Sequence, residues 1–213
     1  MLVLGLDTST PAVSVALVRL GEGLLAERVV VDARRHGELL AVGIKAVLAE
    51  AGVARTALGA IAVGLGPGPF TGLRVGVVTA ATLSDALGIP AYGTCSLDGL
   101  GEGERVAVTD ARRREVYWSR YDASGARVGG PAVGRPADVV DGFAGVPVVG
   151  DGAHVHAEAF AGLDVRPEPR YPSAARLVEV VAPRIGEEPA PLVPLYLRRP
   201  DAEVPGAPKR VTV

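Results

Sequence analysis

The chain has a single cysteine, Cys95, in 213 residues. That excludes an internal disulfide and any cysteine-built zinc site. Lysine is almost as scarce: Lys45 and Lys209 stand against twenty arginines. A phosphate loop of the G-x-x-x-x-G-K-[ST] kind needs a lysine to reach the β- and γ-phosphates, and none lies between positions 45 and 209. The histidines are His36, His154 and His156, and H-E-x-x-H is absent. An H-x-H pair needs further ligands to hold zinc, so His154 and His156 read as a solvated loop pair and His36 as a helix start. No run of about eighteen apolar residues exists, so no membrane span is expected. The opening MLVLGLDTST lacks the basic segment of a signal peptide. A soluble cytoplasmic protein is the expectation. The net charge of −2 does not advertise a nucleic-acid binder.

What is present is an ordinary core-forming composition, 48% hydrophobic and 22% charged. The length suits one large unit or two intimately packed small ones. Leu2–Leu6 is an apolar run ending at Asp7, and Thr8-Ser9-Thr10-Pro11 makes a turn. Val13, Val15 and Leu17 alternate as a second strand, and Leu24–Val31 reads as a third. From His36 to Ala51, apolar residues recur at helical spacing, with Gly52 as the stop. Ala60–Val63 is a short strand, Leu73–Leu87 a helix and Ala91–Gly93 the start of another strand. The pattern then returns. Val106–Thr109 ends at Asp110, and Val116, Trp118 and Arg120 alternate. A shift of 103 positions superimposes the two strand-turn-strand units, which predicts duplicated αβ subdomains. Pro136–Phe143 and Ser173–Ile185 read as helices and Val146–Val149 as a strand. The expected lobes are 1–100 and 101–198, with an extended or disordered tail at 199–213.

Two turns could carry phosphate chemistry. Asp7, Thr8, Ser9 and Asp110 are the candidates, since two aspartates facing a cleft would suit a hydrated Mg²⁺ and a nucleotide's phosphates. The plainer reading is that these residues form good turns. The stretch GLGPGPFTGLRVG, from Gly64 to Gly76, follows a strand and opens a helix, as a dinucleotide loop would. It matches that pattern only in part, since Thr71 stands where the third glycine belongs. Shape is the favoured role, with Thr71 capping the helix. Gly72, Gly76 and Ala80 then form a small-residue stripe that lets a neighbour approach closely. Cys95-Ser96 lacks a G-x-S-x-G context, so Cys95 reads as a buried thiol. Arg112-Arg113-Arg114 could contact phosphate or carboxylate.

Four segments, in order, resemble the TsaB (YeaZ) family: LGLDTST, GLGPGPFTGLRVGVVTAATLSDALGIP, DARRREVYW and PLYLR. They cover most of residues 1–120 and the segment 194–198. The resemblance implies an α/β, actin-like and sugar-kinase-like (ASKHA) fold of two small duplicated lobes. It implies a non-catalytic scaffold or activator in the bacterial synthesis of N6-threonylcarbamoyladenosine (t6A) in tRNA. TsaD, a paralogue, would be the catalytic partner and TsaE the ATPase. ATP and metal are then expected in the partner subunits, with no cofactor in this chain. Transfer RNA is expected to bind only through the complex, and a homodimer could form when TsaD is absent. The alternative is an active ATPase or small-molecule kinase of the same fold. The expected partner surface is His36, Leu40, Gly43 and Val47 on one helix with Gly72, Leu73, Gly76, Val77 and Ala80 on the next, docking as a four-helix contact.

Overall fold

A computed structural model of the chain describes residues 1–198. The tail at 199–213 lies outside the described residues.

The first sheet has five strands: β1 (Leu2–Asp7), β2 (Ala12–Arg19), β3 (Gly23–Val31), β4 (Leu58–Gly64) and β5 (Ala91–Thr94), in the order β3-β2-β1-β4-β5. The first three form an antiparallel meander, and β4 and β5 add in parallel. Parallel strands need crossovers, which α1 (His36–Glu50) and α2 (Phe70–Leu87) supply. The alternation of β1 sorts its side chains between two layers. Leu2, Leu4 and Leu6 join Val13, Val15 and Leu17 under α1 and α2, where Leu40, Val47, Leu73 and Val77 meet them. Val3 faces the other side with Ala60, Ala62 and Tyr92. Cover on both faces explains why β1 is a continuous apolar run. Each large aliphatic side chain buried here contributes about 1.5–3 kcal/mol.

The second sheet repeats the plan: β6 (Arg105–Asp110), β7 (Val116–Tyr121), β8 (Arg127–Gly134) and β9 (Val148–Val149), in the order β8-β7-β6-β9. The meander β6-β7-β8 mirrors β1-β2-β3, and β9 adds in parallel to β6 as β4 does to β1. The shift of 103 holds for the first strand of each half but not for the second. Asp7 pairs with Ser14, whereas Asp110 pairs with Val116, so the second turn is one residue shorter. Over β6-β7, α3 (Pro136–Val139) and a following 3₁₀ turn place Phe143, and α4 (Asp151–Val155) and the turn after it place Ala153 and Phe160, against Val106, Val108 and Val116.

Residues 101–198 do not all pack with the second sheet. The last helix, α5 (Ala174–Val181), lays Val178 and Val181 on the face of β1 and β4 opposite α1 and α2. Gly5 permits this, because a Cβ there would stand 2.3 Å from the Ala174 carbonyl oxygen. Ser173 caps the helix through the Arg176 N–H (3.2 Å), and Ser14 Oγ accepts from the Ala174 N–H (2.9 Å). No helix among the described residues is long and apolar enough to cross a membrane.

Candidate functional site

Strands β1 and β6 each end on an aspartate, as the sequence repeat requires, and the two turns that follow differ in every other respect.

At the first turn, Asp7 is fully buried, and its Oδ1 accepts from the Ser9 N–H (2.9 Å) and hydroxyl (2.7 Å). Burial pushes its carboxyl above the ordinary value; the Ser96 hydroxyl, Ser9 and the His36 ring pull the other way. Oδ2 has no well-formed hydrogen bond among the described residues, and the Ser96 hydroxyl beside it accepts from the Gly66 N–H (3.0 Å). Thr8 is also buried. Its hydroxyl donates to the Gly72 carbonyl (2.8 Å) and accepts from the Gly76 N–H (2.9 Å), groups one turn apart on α2. The glycine segment therefore closes on the chain's own turn. A Cβ at Gly68 would lie 2.2 Å from the Ser9 carbonyl oxygen, and one at Gly76 would lie 2.6 Å from Thr8 Oγ1. Gly64 serves the same end, since a Cβ there would strike Asp7 Oδ2 at 1.9 Å. His36 joins the closure by donating from Nε2 to the Thr10 carbonyl (2.8 Å). Asp7 thus faces protein on all sides and not a cleft.

The stripe expected to meet a partner takes part in this closure. His36, Leu40, Val47, Gly72, Leu73, Gly76, Val77 and Ala80 are all buried within the chain. Gly43 also faces inward, with Val15 Cγ2 3.0 Å from its Cβ position. The small residues admit the Thr8 turn and the sheet, which need close approach as much as a partner helix would. Thr71 does not cap α2: the helix starts at Phe70 after Pro69, with no side-chain cap bond.

The second turn is open. Asp110 Oδ1 accepts from the Arg112 N–H (3.1 Å) and from His156 Nε2 (3.2 Å). His154 donates from Nε2 to the Arg166 carbonyl (3.1 Å). The two histidines are thus anchored and do not form a solvated loop pair. Asp151, buried beside Asp110, has its carboxyl pushed up to about 6 by burial, with the Asp110 charge adding. No group of three or more metal-ligating side chains exists among the described residues. Cys95 is buried, and desolvation together with Asp98 pushes its thiol up to about 12, which leaves it unreactive.

Arg112, Arg113 and Arg114 carry φ of 61°, 55° and 63°. A left-handed backbone costs a residue with a Cβ about 1–2 kcal/mol, so three in succession form a strained turn. It is closed by the Glu115 N–H to the Arg112 carbonyl (3.0 Å) and the Ala111 N–H to the Glu115 carbonyl (2.9 Å). Sequence reasoning singled out the three arginines but had no means of seeing this backbone. They border two concavities, one between the two halves of the chain and one within the second half. One, of about 300 Å³, has Gly68, Phe70, Arg112, Arg113, Tyr196 and Arg198 on its walls. The other, of about 760 Å³, has Arg113, Arg114, Arg135, His156 and Glu158. Phe70 and Tyr196 pack at 5.1 Å between centroids, and the Arg74 guanidinium lies 3.7 Å above the Phe70 ring. Arg198 pairs with Glu115 and donates to the Ala111 carbonyl (2.9 Å), which ties the 194–198 segment to the turn.

Comparison with known proteins places this geometry. Residues 24–168 match the family model described as TsaD, tRNA N6-adenosine threonylcarbamoyltransferase. An uncharacterised protein of Mycobacterium tuberculosis is 52% identical over 205 residues, 94% of this chain and 93% of that one. The tRNA threonylcarbamoyladenosine biosynthesis protein TsaB of Escherichia coli is 33% identical over 129 residues; the match spans 57% of this chain and 55% of that protein. The solved structure of YeaZ from Pseudomonas aeruginosa superposes with a TM-score of 0.78 at 31% identity, covering 92% of this chain and 99% of that one.

Proposed function

Since the chain belongs to the TsaD family, in its TsaB/YeaZ branch, with the actin-like α/β fold of that branch, we propose that it is a non-catalytic subunit of t6A synthesis. In this reading it activates a TsaD-family partner, which holds the catalytic metal and ATP, and a TsaE-like ATPase joins through that partner. Transfer RNA is engaged by the assembled complex. The observation that carries the non-catalytic role is the insertion of the Thr8 hydroxyl between Gly72 and Gly76, with Asp7 sealed behind it. The turn that would cradle phosphates is filled by the glycine segment that would normally close over them.

The partner surface follows from the inward stripe. The outward sides of α1 and α2 expose Val42 and Val78, 63% and 60% accessible, next to the partly buried Leu39 and Val75. In our reading a paralogous helix pair docks there. Reconstitution tests both claims. The chain, a TsaD-family subunit and a TsaE-like ATPase are combined with unmodified tRNA, and t6A is measured. The expected result is no ATP turnover by the chain alone and t6A formation only when it is present. Val42→Glu with Val78→Glu should abolish both co-elution and modification while the far-ultraviolet spectrum stays unchanged. ATP turnover by the chain alone, lost on Asp7→Asn, would instead establish an ATPase or small-molecule kinase.

A further inference from the structure

We propose that the arginine turn after β6 is a docking surface for the phosphodiester backbone of an RNA, with Arg112, Arg113, Arg114 and Arg135 as its phosphate contacts. The inference rests on the tRNA reading above and adds to it a surface on this chain.

The first argument is the choice of residue. Left-handed backbone favours glycine, and asparagine after it; this turn has arginine at all three positions. The side chains, not the turn, require arginine. All three are exposed, as is Arg135. Arg114 and Arg135 have no hydrogen bond or ion pair among the described residues. The acids nearby are largely committed: Asp110 to His156 and Arg112, Glu115 to Arg198. Glu158 alone sits on the rim of the larger concavity with no ion pair among the described residues. The surface is therefore locally basic on a chain of net charge −2.

The second argument is divergence. Arg112 borders the smaller concavity and a third one beside Thr10 and His36; Arg113 is shared by the first two; Arg114 turns to the larger one with Arg135. The contiguous phosphates of one nucleotide call for cations that converge. Cations spread along two adjoining hollows fit charges repeated along a strand. The guanidinium fork suits each phosphate by paired hydrogen bonds. Phosphate contacts of this kind position an RNA without reading its sequence.

The test is the binding of fluorescent unmodified tRNA across a salt series by the complete chain, alone and with its TsaD-family partner. Arg114→Gln with Arg135→Gln should lower the slope of log affinity against log salt by about two. It should weaken binding by about tenfold at 0.1 M salt. Fold and partner affinity should stay unchanged. Arg55→Gln is the control, because Arg55 precedes β4 at the end of the sheet where Leu58 pairs with Leu2, away from both turns. It should change neither quantity. Unchanged slope and affinity in the double variant overturns the proposal, and so does an equal loss with the control. Loss of partner affinity in place of tRNA affinity also overturns it and assigns the arginines to a protein contact. Competition by ATP as effective as by tRNA overturns it in favour of a nucleotide site. Arginine-dependent tRNA binding by a chain that never joins the partner upholds the surface and refutes the function proposed above.

Discussion

The turn after Asp7 and the turn after Asp110 leave equivalent strands, yet one is closed by glycines and the other is held open by arginines. In the first, backbone approaches backbone so closely that no Cβ fits at Gly68. In the second, three Cβ atoms are retained on a backbone that disfavours them. The first carboxylate is buried with Ser9; the second is shared between a histidine and an arginine at the rim. Duplication thus preserved the strands and their pairing, and the turns took opposite roles. A closed turn contributes stability. An open one contributes a surface and costs stability.

The sharpest way to break this contrast is to add one methyl group to the closed turn. Gly68→Ala would place a carbon 2.2 Å from the Ser9 carbonyl oxygen, with further backbone atoms at 2.9 Å. Neither side can yield as a flexible side chain would. The expected loss is about 3 kcal/mol or more, seen as a large drop in the thermal midpoint or as insoluble protein. A variant as stable as the parent would mean that the glycine segment does not rest on the turn, and the reading of a filled phosphate cradle would fall with it.

A middle-sized effect tests the open side. Asp151 lies buried near Asp110, and its Oδ1 has no hydrogen-bond partner among the described residues. Its carboxyl is raised from 3.8 to about 6, first by burial. The folded chain therefore binds this proton more tightly than the unfolded chain does. Stability from this group is fully present below pH ~4, falls as pH rises toward ~6 and stays low above that. Asp151→Asn removes the charge and keeps the shape. It should gain on the order of 1–2 kcal/mol over the parent above pH ~6, and the gain should vanish near pH 4. Denaturant midpoints at pH 4 and pH 8 decide it. An equal gain at both would show that charge is not the cause.

Much of this was legible in the sequence. Apolar runs found β1 and β6, which are covered on both faces, period-two alternation found β2 and β7, and helical spacing found α1 and α2. The repeat placed Asp7 and Asp110 at matching strand ends. What failed was direction. Gly72, Gly76 and Ala80 announced close approach, but a small stripe does not say whether a helix, a sheet or a turn approaches. Strand β8 was missed because RVGGPAVG has three glycines and a proline in place of alternation. The short helix α4 begins at Asp151 behind a glycine at φ 109° and has no apolar period to detect. The bond from His156 to Asp110 spans 46 residues, beyond any local pattern. The packing of α5 on the first sheet needed the same long reach.

The smallest expected effect is the most discriminating, because its sign is opposite to that of Gly68→Ala in the closed turn. Arg114 has a φ of 63° and no partner among the described residues, so Arg114→Gly removes strain without removing an internal contact. Relief of the left-handed backbone is worth about 1–2 kcal/mol. The added freedom of glycine in the unfolded chain takes back about 0.4–1 kcal/mol. The net expectation is a gain of about 0.5–1 kcal/mol, or ~1–4 °C in the thermal midpoint at this chain length. The same variant should lose about one unit of salt slope in tRNA binding. Arg114→Gln should lose the slope and leave the midpoint unchanged, which separates the two effects. A glycine variant that melts lower than the parent would show that the turn is not strained. Arginine would then need no functional reason to stand there, and the opposition between the two turns would reduce to a difference in sequence.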